Sequence, residues 1–301
     1  MGMKRVLSDF EQEIYALFSE GPSSLADVFL NRKRSWSLSK RDFTEMGSQG
    51  SLSDSSPYLS IVERAVKDDT IFDKFKSNVQ YRQILEHVSR KYGRKYWEVI
   101  QKHKTQNPRM LAFLSTDFCS PFRYTYRGLG RVSSTNLRYI KISCDLESLF
   151  GSSENFDIVE LGIGYGGQIA SISEMNGFRS YVPVDLPLVL ELFHKYIGNF
   201  YPEILEKVKN NTDNIDLLIS NYAFSELSRE VQNQYLSDFV LRSKRGYVIF
   251  NKIIDDKFDT MTSEEFMNRV PGAVEIREYP QTFVGNTLIV WGYSTLENIA
   301  Q

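Results

Sequence analysis

The sequence predicts an α/β fold in which a mainly helical region precedes a mainly parallel sheet. Two observations indicate this fold. Before about residue 150 the apolar residues recur at helical spacing, and after it short apolar runs alternate with helical segments. The chain has 301 residues, 42% of them hydrophobic. That is enough for one α/β domain of ordinary size and a second region of similar length.

The bulk composition excludes some classes of partner. Lys and Arg total 36 against 38 Asp and Glu, a formal net charge of −2, which argues against nucleic acid as a partner of the whole protein. There is no run of about 18 apolar residues, and the first residues lack the apolar segment of a signal peptide. Cys119 and Cys144 suit a reducing compartment. We therefore expect a cytoplasmic protein without a membrane partner, which could form a homo-oligomer.

Residues 1–150 are predicted to form a mainly helical N-terminal or lid region. Apolar residues at helical spacing predict helices at Ser8–Ser19, Ser24–Arg32, Tyr81–Tyr92 and Leu137–Phe150. Segments with glycine, proline and serine but without such spacing are predicted to be irregular, at Gly47–Pro57 and Met110–Asn136.

Residues 151–301 are predicted to form the ligand-binding domain. Short apolar runs predict strands at Asp157–Ile163, Tyr181–Asp185, Ile215–Ser220, Gly246–Asn251, Ala273–Tyr279 and Thr287–Tyr293. Helices are predicted between them at Gln168–Asn176, Leu188–Ile197, Arg229–Leu241 and Ser263–Arg269. This alternation is typical of βαβ units and a parallel sheet. No helix separates the last two strands, so we expect them to form an antiparallel hairpin. No third strand is evident between Ile197 and Ile215.

The most specific motif is the glycine-rich segment Val159–Gln168, which leaves a predicted strand and enters a predicted helix. Gly162, Gly164 and Gly167 satisfy the pattern G-x-G-x-x-G, in which glycines let the backbone turn sharply and approach a ligand. Asp185 ends the next strand, 185 − 162 = 23 residues after the first glycine. A carboxylate at that place can accept hydrogen bonds from ribose hydroxyls. The glycines could otherwise serve only as a turn.

Two nucleotide cofactors fit this pattern, a nicotinamide dinucleotide and S-adenosylmethionine (SAM). Glu160 lies two residues before the first glycine, where SAM enzymes carry an acid facing the methionine end of the cofactor. The chain also ends in a strand hairpin instead of a second nucleotide-binding half. A helical region in front of the sheet is a common place for a methyltransferase lid. These three features favour SAM.

Four phrases of the sequence resemble a known family. They are Glu-Leu-Gly-Ile-Gly-Tyr-Gly-Gly-Gln, Val-Asp-Leu-Pro, Ser-Asn-Tyr-Ala-Phe-Ser-Glu-Leu and Ser-Thr-Asn-Leu-Arg-Tyr, at Glu160–Gln168, Val184–Pro187, Ser220–Leu227 and Ser134–Tyr139. Together they look like the sugar O-methyltransferases of the nanchangmycin-biosynthesis type, over roughly Val79–Tyr293. The resemblance implies a Rossmann-like class I methyltransferase sheet that ends in an antiparallel hairpin.

SAM is therefore the expected cofactor, and a sugar or glycosylated small molecule is the expected methyl acceptor. The predicted cofactor-binding residues are Glu160, Gly162, Gly164, Tyr165, Gly166, Gln168, Asp185, Arg138 and Asn221. Arg138 follows a plausible helix start and could pair with the methionine carboxylate. Tyr165 lies inside a turn with little interior, which favours contact with a ligand over a place in the core.

Methyl transfer to a hydroxyl also needs a base that takes the proton. Glu226 is the first candidate, since it follows the carboxyl end of a predicted central strand, where open α/β sheets bind ligands. It could equally be an acid that favours a helix N-terminus. Asp117 is the second candidate, with a turn or helix cap as its alternative role. No His, Asp and Glu cluster has metal-ligand spacing, so no metal is expected.

Three other functions remain open from the sequence. Methylation of an amino sugar needs less help from a base. A nicotinamide-dependent oxidoreductase would use the same glycine pattern. A SAM-binding module without catalysis would use the helical region to dock a partner.

Overall fold

The computed structural model describes residues 56–103, 108–210, 213–251, 259–282 and 285–294, which belong to one unit, residues 50–301. The predicted helices Ser8–Ser19 and Ser24–Arg32 lie outside the described residues. Of the predicted loop Gly47–Pro57, only the last two residues are described, and they begin the first helix.

The described chain before residue 151 is mainly helical. Its elements are α1 Ser56–Lys67, α2 Asp69–Phe72, α3 Val79–Ile84, α4 Arg90–Lys102, α5 Pro108–Ser115, β1 Arg123–Tyr126, β2 Gly130–Ser133 and α6 Ser134–Phe150. A short 3-10 turn, Phe75–Ser77, joins α2 to α3. Strands β1 and β2 pair in antiparallel fashion.

Local capping explains where these helices differ from prediction. The prediction of a continuous helix over Tyr81–Tyr92 was wrong, because α3 ends at Ile84. A new helix begins after Ser89, whose hydroxyl caps it by accepting a hydrogen bond from Tyr92 N at 3.4 Å. The irregular stretch Met110–Asn136 was also wrong, since it contains most of α5 and the β1–β2 hairpin. Helix α6 begins at Ser134, three residues early, because the Ser133 hydroxyl accepts from the backbone N–H groups of the first turn.

The second half of the chain forms a six-stranded sheet with helical connections. Its elements are β3 Asp157–Leu161, α7 Gly167–Met175, β4 Ser180–Val184, α8 Pro187–Phe200, α9 Pro202–Leu205, β5 Leu217–Asn221, α10 Arg229–Tyr235, β6 Gly246–Phe250, α11 Ser263–Arg269, β7 Val274–Arg277 and β8 Thr287–Trp291. The strand order is β4-β3-β5-β6-β8-β7. Strands β3 to β6 are parallel, and β8 runs antiparallel to both of its neighbours.

This topology confirms the predicted Rossmann-like α/β fold with a closing antiparallel hairpin. Between Ile197 and Ile215 the described residues contain the short helix α9 and a single parallel bridge from Val208 to Tyr181. Apart from this bridge, no further described strand pairs with the outer edge of β4.

The core lies on both faces of the sheet. Ile158 and Ile219 point into one apolar cluster, while their neighbours Val159 and Leu218 point into the other, as the alternation of side chains in a strand requires. Helices α1 to α6 contribute to the first cluster. The secondary structure therefore changes near residue 150 from mainly helical to alternating strand and helix, but residues on both sides of that point share one hydrophobic core. No described helix is long and apolar enough to cross a membrane.

Candidate functional site

The glycine turn lies at the carboxyl end of β3, next to the middle of the sheet. Gly162, Gly164 and Gly166 have φ angles of 80°, 56° and 95°, values that glycine adopts without strain. A Cβ on Gly162 would lie 2.2 Å from the Cβ of Ala223. The turn thus requires glycine for conformation and for space, and it leads into the N-terminus of α7, where backbone N–H groups attract negative charge.

Asp185 follows the carboxyl end of β4, beside that turn. Its Oδ2 accepts a hydrogen bond from Gly164 N at 2.9 Å, and its Oδ1 accepts one from Leu186 N at 2.8 Å. A recess of about 170 Å³ opens next to it, lined by Val182, Pro183, Val184, Asp185, Leu190, Asn210, Phe239 and Arg242. The carboxylate is therefore held at the boundary between the glycine turn and an open recess.

Glu160 is buried one residue before the end of β3, with 2% of its surface exposed. Its Oε2 accepts a hydrogen bond from Tyr181 Oη at 2.6 Å. Burial raises its pKa to about 8, against the lowering effect of hydrogen bonds from Tyr181 and Asn221, while the negative charge of Asp185 raises it further. The free protein therefore keeps this carboxyl group largely protonated at neutral pH.

This pKa predicts a specific pH dependence of stability. The unfolded chain loses the Glu160 proton near its ordinary pKa of 4.5, whereas the folded chain holds it up to about 8. Unfolding is then favoured progressively as the pH rises from about 5 to about 8. A tenfold change in proton affinity is worth about 1.4 kcal/mol, so we expect a loss on the order of a few kcal/mol. Glu160→Gln should remove this loss, and urea denaturation of both proteins across that range measures it. Equal pH profiles would contradict the assignment.

Arg138 lies one turn into α6, and only 5% of its surface is exposed. Its Nη2 donates to the carbonyl of Leu85 at 3.3 Å, and the Leu85 side chain lies 3.1 Å from where a Cβ on Gly164 would be. Its Nε is buried without a hydrogen-bond partner. It forms no ion pair with a carboxylate among residues that the structure describes. A buried guanidinium without an ion pair to a described carboxylate therefore bonds to Leu85, the residue that packs against the glycine turn.

Three predicted cofactor-binding residues each have a buried polar atom without a hydrogen-bond partner. Arg138 Nε, Gln168 Oε1 and Asn221 Oδ1 are all buried and lack a hydrogen-bond partner. Gln168 is held by its other end, since Nε2 donates to Tyr139 O at 3.3 Å and Ser143 Oγ at 3.1 Å. Buried polar groups are nearly always hydrogen-bonded, so each exception calls for an explanation such as a ligand. The Arg138 atom is a donor, and the Gln168 and Asn221 atoms are acceptors, so a ligand at the glycine turn could bond to all three.

Tyr165 is placed differently from what its position in the turn indicated. It is 1% exposed, and its ring packs edge-on against Phe75 and Tyr196. Its Oη donates to Glu86 Oε1 at 2.9 Å. The reasoning that the turn has little interior was wrong, because the N-terminal region and α8 together supply that interior. Sequence analysis missed Glu86 for the same reason.

Glu226 ends a 3-10 turn directly after β5, at the carboxyl edge of the sheet. Its Oε1 accepts a hydrogen bond from Asn251 Nδ2 at 2.9 Å. Burial raises the pKa of this carboxyl group, although the bond from Asn251 lowers it. The structure therefore places Glu226 on the edge that carries the glycine turn, in surroundings that make its carboxylate a stronger base.

Asp117 lies in an exposed turn, and we assign it no catalytic role. Its side chain is 65% exposed and lies 3.4 Å from Arg123, and its carbonyl accepts a turn hydrogen bond from Ser120. The neighbouring Phe118 stacks on Phe200, the last residue of α8.

Among the residues that the structure describes, no metal-binding group is evident at this site. In the described ranges, no three His, Cys, Asp or Glu side chains are grouped so that they could hold a metal ion.

No protein-family model and no curated protein matches this sequence, so the resemblance to nanchangmycin-type enzymes stays a prediction. Solved structures do show weak similarity. The mitomycin 7-O-methyltransferase MmcR is 14% identical, with 78% of this chain and 72% of that chain covered and a TM-score of 0.39.

Two further solved structures are similar at the same level. Magnesium protoporphyrin IX methyltransferase ChlM from Synechocystis PCC 6803, solved with bound SAM, is 11% identical, covers 53% of this chain and 79% of its own, and has a TM-score of 0.40. PigF, solved with S-adenosylhomocysteine (SAH), is 10% identical, covers 70% and 71%, and has a TM-score of 0.37. At these values we rest no functional inference on the similarity.

Proposed function

We propose that the protein is a SAM-dependent methyltransferase that acts on a hydroxyl of a sugar or a glycosylated small molecule. The observation that carries this proposal is the set of three buried, unpartnered polar atoms beside the glycine turn. Arg138 Nε is a donor suited to the carboxylate of the methionine end. Asn221 Oδ1, next to Glu160, is an acceptor suited to its ammonium group. A ligand that carries a carboxylate and an ammonium group on the same carbon would give a hydrogen-bond partner to both Arg138 and Asn221.

The other half of the cofactor is assigned to the edge of the sheet. Asp185 is suited to the ribose hydroxyls, and the recess beside it, which includes Asn210, is suited to the adenine. The sheet supports SAM over a nicotinamide dinucleotide. Dinucleotide-binding sheets are built from two parallel halves, whereas here the second half is completed by the antiparallel strands β7 and β8.

The chemistry then divides between cofactor and protein. When bound, the cofactor supplies a methyl group on a positively charged sulfur. The protein's part is to align the acceptor oxygen with that methyl group and to remove the hydroxyl proton. We assign proton removal to the Glu226 carboxylate. The phrases at Ser220–Leu227 and Ser134–Tyr139 support a sugar acceptor through their resemblance to sugar O-methyltransferases. Both cysteines are free and buried, which supports a cytoplasmic location.

Binding of SAH tests the cofactor assignment directly. We expect SAH to raise the melting temperature and Asp185→Ala to remove most of that gain, because the ribose loses its charged hydrogen-bond acceptor. Thermal unfolding with and without ligand measures both effects. Glu191→Ala is a matched control, since it removes the same charge from the exposed side of the following helix. Calorimetry with NAD in place of SAH discriminates the cofactor classes, and binding of NAD but not SAH would overturn the proposal.

A further inference from the structure

Lys76 is a buried lysine that the proposed chemistry does not use. It lies in the 3-10 turn between α2 and α3, with 2% of its surface exposed. Its Nζ donates to Tyr196 Oη at 2.8 Å and lies 3.9 Å from the centre of the Tyr165 ring. Its Nζ forms no ion pair with a carboxylate in the described part of the chain. Burying an ammonium in this way costs stability, so its place calls for a reason.

The ring under Lys76 belongs to the glycine turn itself. Tyr165 stands between Gly164 and Gly166, both of which have positive φ angles. The Lys76 ammonium covers the face of the ring, and the Glu86 carboxylate accepts from its hydroxyl. The N-terminal region thus holds one side chain of the turn at two points. Because glycines on both sides leave the backbone free to take other conformations, the packing of this ring helps to fix the shape of the turn, together with the hydrogen bond from Gly164 N to Asp185.

We propose that Lys76 is a positioning residue for the cofactor, which holds the glycine turn in its binding conformation through Tyr165. This inference rests on the proposed function. A desolvated ammonium over an aromatic ring is among the stronger cation–π contacts. Loss of the charge should therefore loosen the turn and weaken cofactor binding.

The charge of Lys76 can be switched by pH. Burial lowers its pKa to about 8, although the negative charge of Glu86 opposes the shift. Among the groups around it, burial raises the pKa of Cys119 to about 12 and those of Tyr165 and Tyr196 well above 10. Lys76 therefore loses its proton in a range where the thiol and both phenols keep theirs.

The test compares SAH affinity in the wild type and in Lys76→Met by calorimetry between about pH 6.5 and about pH 9.5. We expect Kd to rise about tenfold in the variant at the low end. The ratio of the two Kd values should fall to about three near pH 8.5 and approach one near pH 9.5, because a tenfold coupling raises the pKa of Lys76 in the complex by about one unit. Effects of Glu160 occur in both proteins and cancel in the ratio. A role in packing alone would give a ratio independent of pH, which would overturn the proposal. Lys74→Met, an exposed lysine of the same turn, is the matched control.

A second measurement needs no variant. Binding couplings are reciprocal, so if the charged lysine favours SAH binding, SAH must raise the pKa of Lys76. NMR titration of lysine labelled at the ε-carbon, with and without SAH, measures that pKa in the wild type. An unchanged pKa would overturn the proposal even if Lys76→Met failed to fold. Absence of SAH binding in the wild type would instead refute the cofactor assignment, and this inference with it.

Discussion

Glu226→Gln should bind SAH nearly as the wild type does and lose roughly 10²–10⁴-fold in turnover, the usual contribution of a general base. Glutamine keeps the size of the side chain and can still accept from Asn251, but it cannot take a proton from a hydroxyl. Because burial raises the pKa of Glu226, the wild-type rate should rise with pH as this carboxyl group ionises. Single-turnover methyl transfer at saturating SAM, with an acceptor found by screening a sugar panel, measures both effects.

The sequence offers a close control for this experiment. Glu230 is an exposed glutamate in the first turn of α10, four residues further along. Glu230→Gln removes the same charge from the same edge of the sheet and should leave turnover unchanged. If Glu226→Gln turned over at the wild-type rate, Glu226 would be only an acid near a helix end, and catalysis would rest on positioning alone.

Arg138→Met should have opposite effects on the free protein and on ligand binding. Methionine fills much of the same space and removes a buried charge that forms no ion pair with a described carboxylate, so we expect the free protein to be at least as stable as the wild type. Affinity for SAH should fall about 10- to 100-fold, because a charged hydrogen bond to the carboxylate is worth about 1.5–3 kcal/mol. Urea denaturation and calorimetry measure the two effects.

A second ligand isolates the group that Arg138 binds. Methylthioadenosine contains the adenosine half of SAH without the amino acid end, so its affinity should be the same for the wild type and Arg138→Met. Equal losses for both ligands would show that the variant damages the whole site. Arg131→Met, at an exposed arginine of β2, is the control for loss of a positive charge.

The predictions that the structure confirms concern local features of the fold, and the binding roles of the residues at these places stay predictions. The glycine turn, the acid at Glu160 and the strand-end Asp185 are recognisable because parallel topology brings consecutive strand ends to the same edge. The closing hairpin was predicted because no helix separates its strands. The prediction of one helix over Tyr81–Tyr92 was wrong because the apolar spacing continues across the gap between two helices. Only the cap at Ser89 shows that a second helix begins there.

What only the tertiary structure decided is the burial and pairing of charged groups. The spacing of residues cannot show that Glu86 would contact Tyr165, 79 positions away, or that Arg138 would be buried without an ion pair to a carboxylate of the described residues. It cannot show that Asp117 would be largely exposed beside Arg123. Sequence patterns indicate which residues are neighbours along a strand or helix. The pKa of a carboxyl group, and whether a buried polar atom finds a hydrogen-bond partner, depend instead on residues that pack against that group from elsewhere in the chain. The sequence alone thus determined the type of fold and the place of the candidate site, and packing against the N-terminal helices decided the electrostatics of that site.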